Sequence, residues 1–347
     1  MIRQNFSFLP VRLAFGARLF FLLALPQCAV AEGQTLRDVA FTQYGDYSSN
    51  SELMRRLLSP LTAARLGQDM RRSGKAMAVQ PVDLLAERFI VYVPPQRPAG
   101  GYALIVFVPP WQGARLPSHW AAVLDRYGVI FVGAARSGND ESALGRREPL
   151  ALLAAYNVMR QYAVDLERIY VAGFSGGSRI ALRLALGYPD LFRGAILNAG
   201  SDPIGDQQIA LPPKELLFLF QDTSHIIYLT GDRDADHMVD TMASMRSLHK
   251  WCVFNVDDLV QPRVAHEIAD AAALARALGT LGESTRPDRD KLAACRSRID
   301  ADLEDKLRQA QLLSAAGRRV DADKLLVTID ERFGGLAAPR SVELAPK

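Results

Sequence analysis

The chain has 347 residues, 49% of them apolar and 23% charged, with a formal net charge of +3 at pH 7. Such a composition can bury a full core, either as one large α/β domain with an appendage or as two domains. The small net charge, with no basic stretch interleaved with aromatics, argues against nucleic acid as a partner.

Residues 1–31 read as a signal peptide. Arg3, Arg12 and Arg18 form a basic n-region, Leu19-Phe20-Phe21-Leu22-Leu23-Ala24-Leu25 a short apolar h-region, and Ala29-Val30-Ala31 places small residues at the cleavage positions. The apolar run is too short for a stable span, so no membrane span is expected after cleavage. Cys28 invites a lipoprotein reading, but Leu25-Pro26-Gln27 lacks the small residues expected before a lipidated cysteine. Export, to a periplasm or beyond the cell, is the expectation. Two cysteines then remain, Cys252 and Cys295. In an oxidising compartment they could pair; two unpaired core thiols are the alternative.

Residues 32–86 are polar and mostly helix-prone, most clearly over 51–70. From Glu87 the pattern changes to apolar runs: strands over 87–93 and 102–108, the second apolar throughout as for a strand covered on both faces. A helix over 118–127 and a strand over 129–132 follow. Next come a helix over 149–164, a strand over 168–172, a helix over 178–186 and a strand over 194–198. A strand over 226–229, a helix over 235–248, a strand over 251–256 and a helix over 267–278 complete the series. This alternation predicts a mostly parallel sheet with helices on both faces, its site in loops beyond the C-terminal strand ends, within a catalytic domain of residues 87–284. Residues 285–347 show no strand signal and read as a helical hairpin around Ala315-Ala316-Gly317, ended by Gly334-Gly335, with a tail. A packing appendage is one reading of the hairpin, and a module for a protein partner the other.

Between the strand over 168–172 and the helix over 178–186 lies Gly173-Phe174-Ser175-Gly176-Gly177. A serine on a sharp strand-to-helix turn is forced into strained angles, so its neighbours must be small. Ser175 is the candidate nucleophile, and the N–H of Gly176, at the helix start, a candidate oxyanion donor. A serine hydroxyl needs a base, and the base an orienting carboxylate. Of five histidines, only His266 follows the final strand in a loop, where the order Ser, acid, His places the base. The acid belongs in Thr230-Gly231-Asp232-Arg233-Asp234-Ala235-Asp236. Asp234 fits a Gly-x-x-Asp return towards the histidine. Asp232 is the main rival, Asp236 could cap the next helix, and Asp202 is an outside candidate. A second oxyanion donor is expected after the strand over 102–108. Pro109 and Pro110 carry no N–H, which leaves Trp111 or Gln112. Trp111 could wall an acyl pocket or simply fill core. Ala135-Arg136-Ser137-Gly138-Asn139 could line the cleft or form a plain turn. No Cys/His spacing resembles a metal site, and the chemistry calls for no cofactor.

At these residues the chain resembles the secreted esterases grouped with poly(3-hydroxybutyrate) depolymerases and feruloyl esterases. The matching stretches are the run from Asp165 through Gly177, Tyr188-Pro189-Asp190-Leu191-Phe192-Arg193-Gly194-Ala195, and the Gly231/Asp234/His266 spacing. The resemblance implies an α/β-hydrolase fold and a serine carboxylic-ester hydrolase working through an acyl-enzyme. It does not fix the substrate, for which a small-molecule or oligomeric ester is the expectation. It departs from the group where Pro-Pro-Trp replaces the usual His-Gly after the early apolar strand. A secreted serine peptidase and a catalytically inert hydrolase-fold binding protein are the competing expectations.

Overall fold

The computed structural model describes residues 1, 33–74, 76–283 and 287–345; residues 2–32, nearly all of the expected signal peptide, lie outside them. Eight strands form one sheet in the order β1-β2-β4-β3-β5-β6-β7-β8. The strands are β1 Gln34–Val39, β2 Phe89–Val93, β3 Tyr102–Val108, β4 Val129–Ala134, β5 Val164–Phe174, β6 Gly194–Asn198, β7 His225–Leu229 and β8 Val256–Asp258. β1 and β2 are antiparallel to their neighbours, and every pairing from β4 through β8 is parallel. Parallel neighbours cannot be joined by a tight turn, so helices make the crossovers and cover both faces.

β3 shows how the layers arise. Ala103, Ile105 and Phe107 join one apolar cluster with α3 (Ala121–Tyr127) and α8 (Ala271–Leu281). Leu104, Val106 and Val108 join the other with α4 (Glu148–Gln161) and α5 (Gly176–Gly187). Side chains alternate across a strand, so a strand buried on both faces reads as the uninterrupted apolar run seen here. In register, Val108 lies beside Gly173, Phe174 beside Asn198 and Asn198 beside Leu229, which brings the C-terminal strand ends to one rim.

Several stretches differ from expectation. A helix at Lys214–Thr223 is additional, β5 begins at Val164 where the preceding helix is expected to end, and the helix expected from 267 begins at Ala271. Two further stretches are rebuilt. The segment before Glu87 contains β1, whose period-two pattern is broken by a register shift between Leu36 and Val39, with Asp38 at φ 52°. Its helical part is two helices, α1 (Asn50–Leu57) and α2 (Pro60–Arg72), because Pro60 cannot continue a helix but fits the start of a new one. The strand expected over 251–256 is also displaced. Trp251, Cys252 and Val253 are buried but unpaired in the sheet, and β8 begins only at Val256. Cys252 has φ 64°, a turn conformation, and forms a disulfide with Cys295.

That disulfide joins the loop after α7 (Ala235–Lys250) to α9 (Arg289–Ala315), which pairs with α10 (Arg319–Phe333) as the expected hairpin. Leu303, Leu307, Leu326, Ile329 and Phe333 enter the same apolar cluster as α4 and α5, and Trp251 meets Phe333 edge-on at 5.8 Å. Asp330 of α10, almost fully buried, accepts from the Leu61 N–H at 3.0 Å and from Ser59 Oγ, satisfying the start of α2 from across the fold. α6 (Lys214–Thr223) packs near this junction, and α11 (Arg340–Leu344) ends the described chain. Residues Glu32–Lys347 form one compact unit. No described helix is long and apolar enough to cross a membrane.

Candidate active site

Ser175 sits between β5 and α5 with φ 54° and ψ −126°, a conformation that costs a non-glycine residue of order 1–3 kcal/mol and persists only where its surroundings impose it. Gly173 and Gly177 show why they must be glycine: a Cβ on either would strike backbone, that of Gly177 in the first case and the Val108 carbonyl in the second. The turn is also held from inside. Ser175 N–H donates to the Asn198 carbonyl at 2.8 Å, and the buried Ser178 hydroxyl reaches the carbonyls of Gly173 and Asn198 at 2.7 and 2.8 Å.

Across the rim, His266 Nε2 lies 3.0 Å from Ser175 Oγ, and its Nδ1 lies 2.7 Å from Asp234 Oδ2. A carboxylate only accepts, so Nδ1 carries the hydrogen and Nε2 is left as the acceptor facing the serine. The three expected side chains therefore meet in the order serine, imidazole, carboxylate. Asp234 is 7% exposed. Burial pushes its carboxyl up, but hydrogen bonds from His237 and His266 outweigh that and hold it below the ordinary value.

The rival acids are occupied elsewhere. Asp232 is exposed and accepts from the Arg263 N–H at 2.6 Å, bracing the loop that carries His266. Asp202 pairs with Arg179. Asp236 lies exposed in the first turn of α7 rather than at its cap; the cap position is Asp234, whose carboxylate turns to the histidines. Of the other histidines, His225 bonds Asp257 at the far end of the sheet, and His249 lies in the last turn of α7. His119 lies by the cleft.

The N–H groups of Gly176, Trp111 and Gln112 donate to no acceptor among the described residues. Their loop is fixed from behind: Asn139 N–H donates to the Pro110 carbonyl at 3.1 Å and Arg136 N–H to that of Gln112 at 2.6 Å. Arg147, nearly buried, donates to the carbonyls of Pro109 and Ser137, each at 3.0 Å. It closes a π-helical turn, Ala143–Arg147, just before α4. A groove of about 720 Å³ opens beside His266, lined by Trp111, Arg115, His119, Phe174 and Glu267 among others. Arg115 lies 4.1 Å over the Trp111 ring, and that ring contacts Phe107 and Phe174.

Three residues of this rim escape a reading of the sequence. Asn198 is a buried hub: its amide donates to the Leu229 carbonyl at 2.7 Å and its Oδ1 accepts from the Ala269 N–H at 2.6 Å, tying β6 and β7 to the loop after His266. Arg147 and His237 are the others. Only His237 carries a sequence signal, the Asp-x-x-His spacing that puts both residues on one side of a first helical turn. Asp234, His237 and His266 also bring possible ligand atoms within 4.8 Å of one another. Both carboxylate oxygens already accept an imidazole hydrogen, however, and the near-parallel rings do not converge as ligands of one ion should.

Strand order, parallel crossovers and a strained serine between a central strand and its helix define the α/β-hydrolase fold. No family model matches the chain. It is similar to a poly(3-hydroxybutyrate) depolymerase of Ralstonia pickettii, 30% identical over 99 residues; the match covers 24% of this chain and 20% of that protein's length. Among solved structures it is similar to a poly(3-hydroxybutyrate) depolymerase from Bordetella parapertussis (17% identity, 60% of this chain and 88% of that one, TM-score 0.43). An S-formylglutathione hydrolase from Staphylococcus aureus (12% identity, 56% and 92%, TM-score 0.44) and the dipeptidyl peptidase 4 of Porphyromonas gingivalis (16%, 56% and 33%, 0.41) are also similar.

Proposed function

We propose that this chain is an exported serine hydrolase that cleaves carboxylic esters through an acyl-enzyme. The observation that carries the reading is the unbroken hydrogen-bonded line from Ser175 Oγ through His266 to Asp234. In the first step Ser175 Oγ attacks the ester carbonyl while His266 Nε2 takes its proton. Asp234 holds the imidazole by Nδ1–H and balances the imidazolium charge. The carbonyl oxygen, now anionic, is met by the N–H of Gly176 and by that of Trp111 or Gln112. His266 then returns the proton to the leaving alcohol. Water repeats the sequence and releases the acid.

The open, aromatic-walled groove favours a small or oligomeric ester entering beside Trp111. Export is supported by the basic and apolar pattern of residues 1–31 and by the Cys252–Cys295 disulfide, a bond that oxidising compartments preserve.

The test is turnover of p-nitrophenyl acetate and butyrate by the mature chain and by Ser175→Ala. A loss of at least about 10⁴-fold in kcat is expected, by analogy with other serine triads. Undiminished turnover by the variant overturns the reading. Cleavage of aminoacyl anilides in preference to esters reassigns the bond.

A further inference from the structure

A proton relay to Ser175 needs one oxygen of Asp234. The other, Oδ1, accepts from Nδ1 of His237, 2.8 Å away on the first turn of α7. The His237 ring lies nearly flat against that of His266, with centroids 4.2 Å apart and planes 19° apart. Phe174 also stacks on His266, at 5.0 Å, so two rings contact the imidazole facing Ser175. One buried carboxylate thus serves two stacked histidines.

We propose that His237 is a positioning residue and second proton acceptor of this site, sharing Asp234 with His266 so that the pair takes up protons anti-cooperatively. The inference rests on His266 being the general base. With both rings neutral, each donates Nδ1–H to its own oxygen. A first added proton turns one ring into an imidazolium beside the carboxylate. A second would set two cations face to face, so it binds only at distinctly lower pH. Between the two steps the pair holds one proton, divided between the rings. Whatever share sits on His237 leaves His266 neutral and able to act as base. His266 accordingly keeps its base form to lower pH than it would alone.

Other charged groups surround the pair: Arg115, His119 and Asp270 line the groove beside His266, and Asp232 braces the loop that carries it. Asp236 and Glu267, next to the two histidines in the chain, are exposed. One turn along α7, Asp240 pairs with Arg179 of α5, which also holds Asp202. Arg233, in the loop before α7, is exposed as well.

The experiment is a ¹³Cε1-histidine NMR titration of the wild type and of His237→Asn. Asparagine keeps an amide donor for Asp234 Oδ1 but has nothing to titrate. The wild type should show two coupled steps. In His237→Asn, His266 should titrate in one step at a pH higher by at least about half a unit, a threefold shift in its equilibrium. The acid limb of kcat/KM on p-nitrophenyl acetate should move with it. His237→Phe keeps an aromatic ring but leaves Oδ1 without its donor; kcat should fall by about tenfold or more, and His237→Asn should recover it. An identical His266 titration in the wild type and folded His237→Asn overturns the proposal, and His237→Gln replaces the asparagine variant in the same comparison should that one misfold. The NMR readout needs no turnover. A wild type inert towards esters would therefore refute the hydrolase reading and leave the coupling to be judged by itself.

Discussion

Two regions of the β5–β8 half of the molecule are built on opposite plans. The rim at the strand C-termini exposes His266 beside a half-buried His237, holds a serine at positive φ and leaves three backbone N–H groups without acceptors among the described residues. The region under α9 and α10 is mostly leucine, phenylalanine and a disulfide, with the buried Asp330 engaged by Leu61 and Ser59. The strained serine and the open backbone donors lie where chemistry is proposed, while apolar packing dominates under the hairpin. Changes at the rim should therefore cost activity before stability, and changes under the hairpin the reverse.

The largest break in that contrast should come from Asp234→Asn. Losing the carboxylate removes the group that fixes the His266 tautomer, and kcat should drop about 10⁴-fold with the fold intact by circular dichroism. Asp232→Asn should cost far less, since Asp232 only braces the Arg263 N–H; comparable losses in both variants would reopen the choice of acid. On the stability side, Cys295→Ser opens a loop of 43 residues, whose closure entropy corresponds to about 4 kcal/mol. Its denaturation midpoint should fall markedly while kcat on short esters at room temperature holds. A loss of activity at full folding would tie the hairpin to the site.

Arg147→Met sharpens the comparison, because Arg147 is buried yet bonds to the donor loop. Freed of that anchor, the Trp111–Gln112 donor should drift, lowering kcat by about ten- to a hundredfold with little change in KM. Arg147→Lys should restore part of it. An unchanged kcat would place the second oxyanion donor elsewhere.

The smallest effect is a pH slope. The Asp234 carboxyl is held below its ordinary value in the fold. Its contribution to stability is thus complete above the unfolded carboxylate pKa and fades as pH falls through the lowered one. Urea unfolding between neutral and acidic pH should show that loss in the wild type and a flatter curve in Asp234→Asn.

The legible parts of the fold are those where local chemistry leaves little choice. Glycines flank Ser175 because backbone passes within a Cβ of them, and the apolar run of β3 follows from burial on both faces. Asp234 is reached by its distance from Gly231 and His266 by elimination. What stays hidden depends on contacts far apart in the chain. Nothing near Asn198 announces that it ties β7 to the loop after His266, and nothing near Arg147 announces the Pro109 carbonyl 38 residues away. Trp251-Cys252-Val253 has the composition of a strand, yet a disulfide and the hairpin claim it. β1 is invisible in the sequence because one register shift erases its alternation.

The central claim is that Ser175 is made nucleophilic by His266. Its most direct measurement is fluorophosphonate labelling of the folded protein at neutral pH, followed by peptide mapping. A single adduct on the peptide carrying Ser175, formed at least about 10³-fold more slowly in His266→Ala, is the predicted result. A folded protein that takes no label at Ser175, or takes it equally fast without the imidazole, would contradict it.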